Sequence, residues 1–343
     1  MNNPFSLTFG KEPASLITRD LQINEIIDNF KEDNPSIQAF MITGVRGSGK
    51  TVMLTTVSNE FRKDKEWIVA DLSPERDILN ALAADLSNRK ELMQMFRDAK
   101  INLSFLGLGL EIDGIPPVTD TVVALGQMLE RLTKKGKRIL VTIDEALSNK
   151  YVREFVSQFQ IFIRQNYNIF LLMTGLYENI YELQNEKSLT FLYRAPKIQM
   201  EPLSISMIAY KYKEVFGIND DEAMNMAKIT KGYPFAYQTL GYLCCKRQVA
   251  YRGVISEFDA TMAMYVYEKI WSELSEGDRN VLRAISCSEK SAVKDIRAEI
   301  EMDSNTFAVY RNRLLKKGLI KSPSYGNVEL TLPRFDEFIR KNA

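Results

Sequence analysis

The sequence predicts an α/β protein: a parallel sheet covered by helices, followed by a helical segment and a C-terminal module of three helices and a hairpin. Three observations predict it. Short apolar runs at 39–43, 67–71, 138–143 and 168–174 alternate with amphipathic segments of helix length, the pattern of a parallel sheet buried on both faces. From Pro202 onward the strand signal stops, and helical patterns run through 204–216, 220–230, 234–249 and 256–273. The 343 residues suffice for two or three domains, and a composition of 45% hydrophobic and 26% charged residues excludes a disordered or fibrous chain.

Each element follows from local pattern. Residues 20–31 put Leu21, Ile23, Ile26, Ile27 and Phe30 on roughly one helical face, and Asn34-Pro35-Ser36 breaks it. The run AFMIT (39–43) reads as a buried strand leading into a helix from about 50 to 63. After the strand at 67–71, Pro74 opens a helix to about 95. In 101–117, Leu106, Leu108, Leu110 and Ile112 alternate with Gly107, Gly109 and Glu111, predicting a structural strand or hairpin closed by Gly114 and Pro116-Pro117. A helix at 119–134 leads to strand RILVTI (138–143), which ends on Asp144-Glu145, then to a helix near 150–166 and strand NIFLLMT (168–174). At the C-terminus, helix 276–286 buries Val281, Leu282 and Ile285, and 293–300 forms a second helix. Asp303-Ser304-Asn305 caps a third at 306–317, which Gly318 stops. Segments 319–321 and 328–332 flank a turn. Three helices plus a hairpin is the winged-helix arrangement.

Composition removes several chemistries. Histidine is absent, which excludes His-based triads, histidine zinc ligands and the usual pH switch. Lys+Arg (45) against Asp+Glu (44) leaves +1, so any nucleic-acid or membrane contact must come from a local patch. Three cysteines, Cys244, Cys245 and Cys287, form no disulfide framework and read as reduced thiols. The N-terminus lacks the pattern of a signal peptide, and no apolar stretch approaches the ~18 residues of a membrane span. A cytoplasmic, soluble protein is expected.

The most specific signal is Gly44-x-x-x-x-Gly49-Lys50-Thr51, between an apolar strand and an amphipathic helix. In such a P-loop the backbone amides of Gly44, Val45, Arg46, Gly47, Ser48 and Gly49 curl around phosphates, Lys50 reaches the β/γ oxygens and the Thr51 hydroxyl binds Mg²⁺. The partner carboxylate belongs at the end of a neighbouring strand. Asp144 fits a Walker B aspartate holding Mg²⁺, and Glu145 can polarise the attacking water. Thr174 ends the next strand and can touch the γ-phosphate or that water. The expected ligands are ATP or ADP with Mg²⁺.

Together, GVRGSGKT, RILVTIDE and FLLMTG resemble the archaeal-type and STAND branch of AAA+ P-loop ATPases, related to origin-recognition replication initiators. Ile17-Thr18-Arg19-Asp20 with Glu25 is similar to that family's opening motif beside the adenine, which implies a nucleotide-binding role for Arg19. Leu192-Tyr193-Arg194-Ala195, followed by Met200-Glu201-Pro202-Leu203-Ser204, looks like its arginine motif and lid start. Thr230-Lys231-Gly232-Tyr233-Pro234-Phe235 is similar to its lid motif. The resemblance spans about residues 4 to 340. It implies a P-loop ATPase core over 1–200, a helical lid over 201–273 and a winged-helix domain over 274–343. It makes Thr174 a sensor and Arg194 a γ-phosphate arginine, acting in cis or from a neighbouring subunit. GYPFAYQ lacks the replication initiators' sensor arginine, which favours the archaeal/STAND comparison.

Residues 303–318 carry four basic side chains against one acid, and 276–343 has 13 basic and 10 acidic residues. On a DNA reading, Asn305, Thr306 and Tyr310 face base edges while Arg311, Arg313, Lys316 and Lys317 meet phosphates of double-stranded DNA. On the alternative reading the winged helix docks a protein or packs within the chain. The expected function is a Mg-dependent ATP-binding protein and ATPase whose nucleotide state positions the winged helix. The alternative is a STAND-type switch with little turnover. A third reading is a homo-oligomeric helper with Arg194 acting in trans.

Overall fold

The computed structural model of the chain describes residues 3–8, 10–99, 101–102, 118–288 and 292–342. The chain divides into two compact units: Arg19–Thr43 with Thr51–Gln199, and Met1–Thr18 with Gly44–Lys50 and Met200–Ala343.

The first unit is built on α1 (Asp20–Lys31), β1 (Ala39–Thr43), α2 (Lys50–Arg62), β2 (Trp67–Leu72), α3 (Ile78–Asn88), α4 (Lys90–Asp98), α5 (Thr121–Lys134), β3 (Arg138–Ile143), α6 (Lys150–Arg164), β4 (Ile169–Gly175), α7 (Tyr177–Asn185) and β5 (Lys197–Gln199). The five strands are parallel in the order β2-β3-β4-β1-β5. Alternate side chains serve two cores. Met41, Ala70, Val141, Leu171 and Met173 face a core shared with α3, α5 and α6. Phe40, Trp67 and Phe170 meet Phe30 and Phe61 in an aromatic cluster with centroid spacings of 4.2 to 6.1 Å. Because β4 lies between β1 and β3, the strand ends that carry Asp144 and Thr174 are neighbours, beside the end of β1.

The second unit contains α8 (Ile205–Phe216), α9 (Asp220–Ile229), α10 (Pro234–Arg247), α11 (Ile255–Met262), α12 (Glu268–Ser272), α13 (Glu276–Cys287), α14 (Val293–Glu299), α15 (Ser304–Lys316), β6 (Ile320–Lys321), β7 (Glu329–Leu330) and α16 (Phe335–Asn342). β6 and β7 form an antiparallel hairpin, with Ile320 opposite Leu330. One continuous core runs from Phe5, Tyr212 and Tyr237 through Phe258 and Tyr267 to Val281, Leu314 and Ile339. Tyr267 stands 4.9 Å from Phe335 and 5.6 Å from Phe338, so apolar packing is unbroken across residue 274. Phe5 contributes to it from the N-terminal segment, within 5.8 Å of Tyr212, Phe216 and Tyr237.

Some local expectations change. The helix expected over 74–95 is two helices, α3 and α4, separated at Arg89, whose backbone is extended. Its guanidinium bonds Asp85 and the Val69 carbonyl, holding the break. The helix expected over 256–273 contains a π-helical turn at Ala263–Tyr267. Strand β5 and helix α16 were not expected. Most of the hairpin expected at 101–117 lies outside the described residues.

Candidate nucleotide site

The P-loop joins β1 to α2. Gly47 and Gly49 have φ of +73° and +91°, left-handed values that glycine adopts freely. These turn successive amides toward one side of the loop. Lys50 is 8% exposed, and its ammonium donates to the Gly44 carbonyl at 2.9 Å and the Val45 carbonyl at 3.0 Å. Ser48 is buried, and its hydroxyl has no hydrogen-bond partner among the described residues. A buried hydroxyl without a partner costs free energy, and a phosphate oxygen in the loop would satisfy it. The loop therefore fits a phosphate chain.

The carboxyl ends of the first unit's strands assemble the second group of residues. Thr51 Oγ1 donates to Asp144 Oδ2 at 2.8 Å. The hydroxyl of Thr174, fully buried at the end of β4, donates to the other carboxylate oxygen, Asp144 Oδ1. Thr174 Oγ1 in turn accepts the Glu145 amide at 3.1 Å, and the Thr174 carbonyl accepts the Ala146 amide at 2.7 Å. Glu145 has a φ of +53°, rare for a residue with a side chain and frequent where function demands a particular direction. Its side chain is exposed. Thr51, Asp144, Glu145 and Thr174, separate in sequence, thus come together.

This donor set suits Mg²⁺, which uses one or two protein oxygens and leaves the remaining positions to waters and phosphates. Among the described residues, no group of three or more Cys, Asp and Glu side chains could hold a metal ion by itself.

One carboxylate escaped the sequence reading. Asp71, at the end of β2, accepts the Thr142 hydroxyl at 2.6 Å and pairs with Arg62. With Thr55, Ser58 and Asp144 these line a cavity of about 250 Å³. Asp71 ends a strand as Asp144 does, and that was the available signal.

The other candidates lie elsewhere. Arg194 ends the 3₁₀ stretch Lys187–Arg194, is exposed, and makes no hydrogen bond or ion pair among the described residues. Arg19 stands half-buried just before α1. On α15, Arg313 bonds Asp278 Oδ1 at 2.8 Å and Ser275 Oγ at 2.9 Å, completing the cap of α13. Its guanidinium also lies 5.0 Å from the Tyr310 ring centroid. That ring covers Gly277 so closely that a Cβ there would lie 2.5 Å from the phenol oxygen. Arg311 bonds Ser322 at 2.8 Å. Asn305, Thr306 and Lys316 are exposed, and Lys317 is half-buried.

Comparison with solved structures bears on the fold. The Walker-type ATPase of Pyrococcus abyssi aligns over 95% of this chain and 96% of its own, with a TM-score of 0.63 and 16% identity. The ORC2 protein of Aeropyrum pernix, solved as ADPNP and ADP complexes, aligns over 97% and 96%, with a TM-score of 0.62 and 14% identity. The chain thus shares the fold of these two proteins over nearly its whole length. Cdc6p of Pyrobaculum aerophilum extends the likeness over 99% of this chain and 97% of its own, with a TM-score of 0.51 and 14% identity. Residues 264–339 match a sequence family described as a domain of unknown function, DUF8462. No curated protein sequence matches the chain significantly. No helix among the described residues is long and apolar enough to cross a membrane.

Proposed function

We propose that the chain is a Mg²⁺-dependent ATP-binding protein and P-loop ATPase that couples nucleotide occupancy to its lid and C-terminal winged helix. The observation that carries this reading is the 2.8 Å pairing of Thr51 with Asp144, whose second oxygen accepts from Thr174. That pairing is the metal-binding half of a P-loop site. The P-loop amides and Lys50 would hold the β- and γ-phosphates, and Thr51 and Asp144 would hold Mg²⁺. The ion neutralises charge on the phosphate oxygens when bound. Glu145 accepts the proton of the attacking water as the γ-phosphoryl group leaves ADP, and Thr174 keeps Glu145 and Asp144 in register. Arg19 serves the nucleoside end, and Arg194 supplies charge to the transition state from its own or a neighbouring subunit. The test is multiple-turnover ATP hydrolysis by wild type and Glu145→Gln. Loss of turnover with retained ATP binding supports the reading; wild-type activity at background overturns the hydrolase part.

For the winged helix, specific observations favour the intramolecular reading. Arg313 and Tyr310 serve the cap and backbone of α13, and Arg311 bonds the hairpin. Lys231 of the lid donates to the Leu330 carbonyl at 3.0 Å. The rival is duplex DNA, met by Asn305, Thr306 and Lys316. Duplex binding that falls steeply with salt and weakens in Lys316→Ala favours DNA; salt-insensitive or absent binding favours internal packing.

A further inference from the structure

The P-loop motif fixes glycine at 44 and 49 but leaves position 47 free, so Gly47 needs another reason. The structure supplies it. A Cβ on Gly47 would collide with the Tyr233 hydroxyl and lie 2.9 Å from Tyr233 Cζ and 3.0 Å from Phe235 Cβ. Tyr233, 5% exposed, donates its hydroxyl to the Arg46 carbonyl. The Phe235 amide donates to the Gly47 carbonyl at 3.2 Å. Two consecutive carbonyls of the phosphate loop are therefore held by the start of lid helix α10. Two further contacts flank them. The Arg46 guanidinium pairs with Glu273, just after α12, at 2.9 Å. At the C-terminal end of α15, a Cβ on Gly318 would lie 2.9 Å from Val45 Cγ1.

We propose that Tyr233 is a positioning residue for the phosphate loop: it fixes the Arg46–Gly47 segment in its phosphate-receiving shape and thereby ties nucleotide affinity to the lid. A carbonyl pinned from outside cannot rotate inward, so the amides of the same peptides stay aimed at the ligand. The left-handed Gly47 is held by these contacts. By linkage, whatever factor the latch contributes to nucleotide affinity, bound nucleotide returns to the latch. The contacts of Glu273 and Gly318 bring the end of the lid and the C-terminal module into the same device. The nucleotide consequence rests on the function proposed above; the shape consequence does not.

The experiment compares wild type, Tyr233→Phe, Glu273→Gln and Lys50→Ala. One readout is amide hydrogen exchange across 44–50 in nucleotide-free protein; the other is the Kd for a fluorescent ADP analogue. Phenylalanine keeps the ring and removes one hydrogen bond, so loop exchange and Kd should both rise by about 2- to 10-fold, with exchange over α8 and α9 unchanged. Glu273→Gln should shift both in the same direction by less. Unchanged loop exchange in Tyr233→Phe overturns the proposal, as does an equal rise over α8 and α9, which would make Tyr233 a lid-packing residue. If wild type and Lys50→Ala bind the analogue equally poorly, the nucleotide reading fails, and loop exchange still decides whether the latch exists.

Discussion

Replacing Thr174 by valine isolates the hydrogen bonds that tie it to Asp144 and to the Glu145 amide. The substitution is nearly isosteric and leaves strand β4 filled. It removes a donor to Asp144 and the acceptor of the Glu145 amide. Loss of a hydrogen bond to a charged group costs about 1.5–3 kcal/mol, and a stranded amide adds about 1 kcal/mol or more. Together these give about 2.5–4 kcal/mol of lost stability. Thr174→Ser keeps the hydroxyl and sheds one buried methyl, worth about 1 kcal/mol. Urea denaturation of both variants checks the difference. Hydrolysis should follow the same order, because Glu145 leaves its left-handed position when its amide is released. Equal stability of the valine and serine variants would refute the reasoning, since packing alone would then account for Thr174.

Phe5→Ala should cost about 3 kcal/mol, because the ring is 2% exposed among Tyr212, Phe216 and Tyr237; thermal melting and proteolysis of residues 1–18 would report it. Cysteine alkylation near pH 8 should modify exposed Cys287 first and Cys244 last, since burial pushes the Cys244 thiol up to about 12; mass spectrometry of the labelled protein checks the order. At Glu273 burial pushes the carboxyl up, but hydrogen bonds from Arg46 and Lys269 outweigh it and hold it below its ordinary value. The stability it contributes is therefore present above the unfolded glutamate value of about 4.3 and is lost as pH falls through the lowered one. Acid melts of Glu273→Gln should lack that part of the pH dependence.

Much of the sheet and half of the site were legible in sequence, for physical reasons. Strands β1 to β4 are buried on both faces and so appear as unbroken apolar runs; β5, three residues with Ile198 alone buried, leaves no such trace. The α3–α4 break is invisible because the apolar periodicity continues through Arg89 while the guanidinium fixes the turn. The GVRGSGKT loop and Asp144-Glu145 stood out in sequence because phosphate chemistry would restrict which residues stand at such positions. Counting arginines on α15 could not separate a phosphate contact from a helix cap, because the partner of Arg313 is Asp278, 35 positions away. The lid's hold on the P-loop joins Gly47 to Tyr233 and Phe235 across a long stretch of chain, and its trace in sequence was one glycine beyond the motif.

The central claim is that this loop binds nucleotide with Mg²⁺. Titration calorimetry with ATP and ADP, with and without Mg²⁺, on wild type, Lys50→Ala and Asp144→Asn tests it most directly. The account predicts saturable one-site binding by wild type, binding lost in Lys50→Ala, and a Mg²⁺ enhancement lost in Asp144→Asn. No heat from wild type, or identical isotherms for all three proteins, would contradict it.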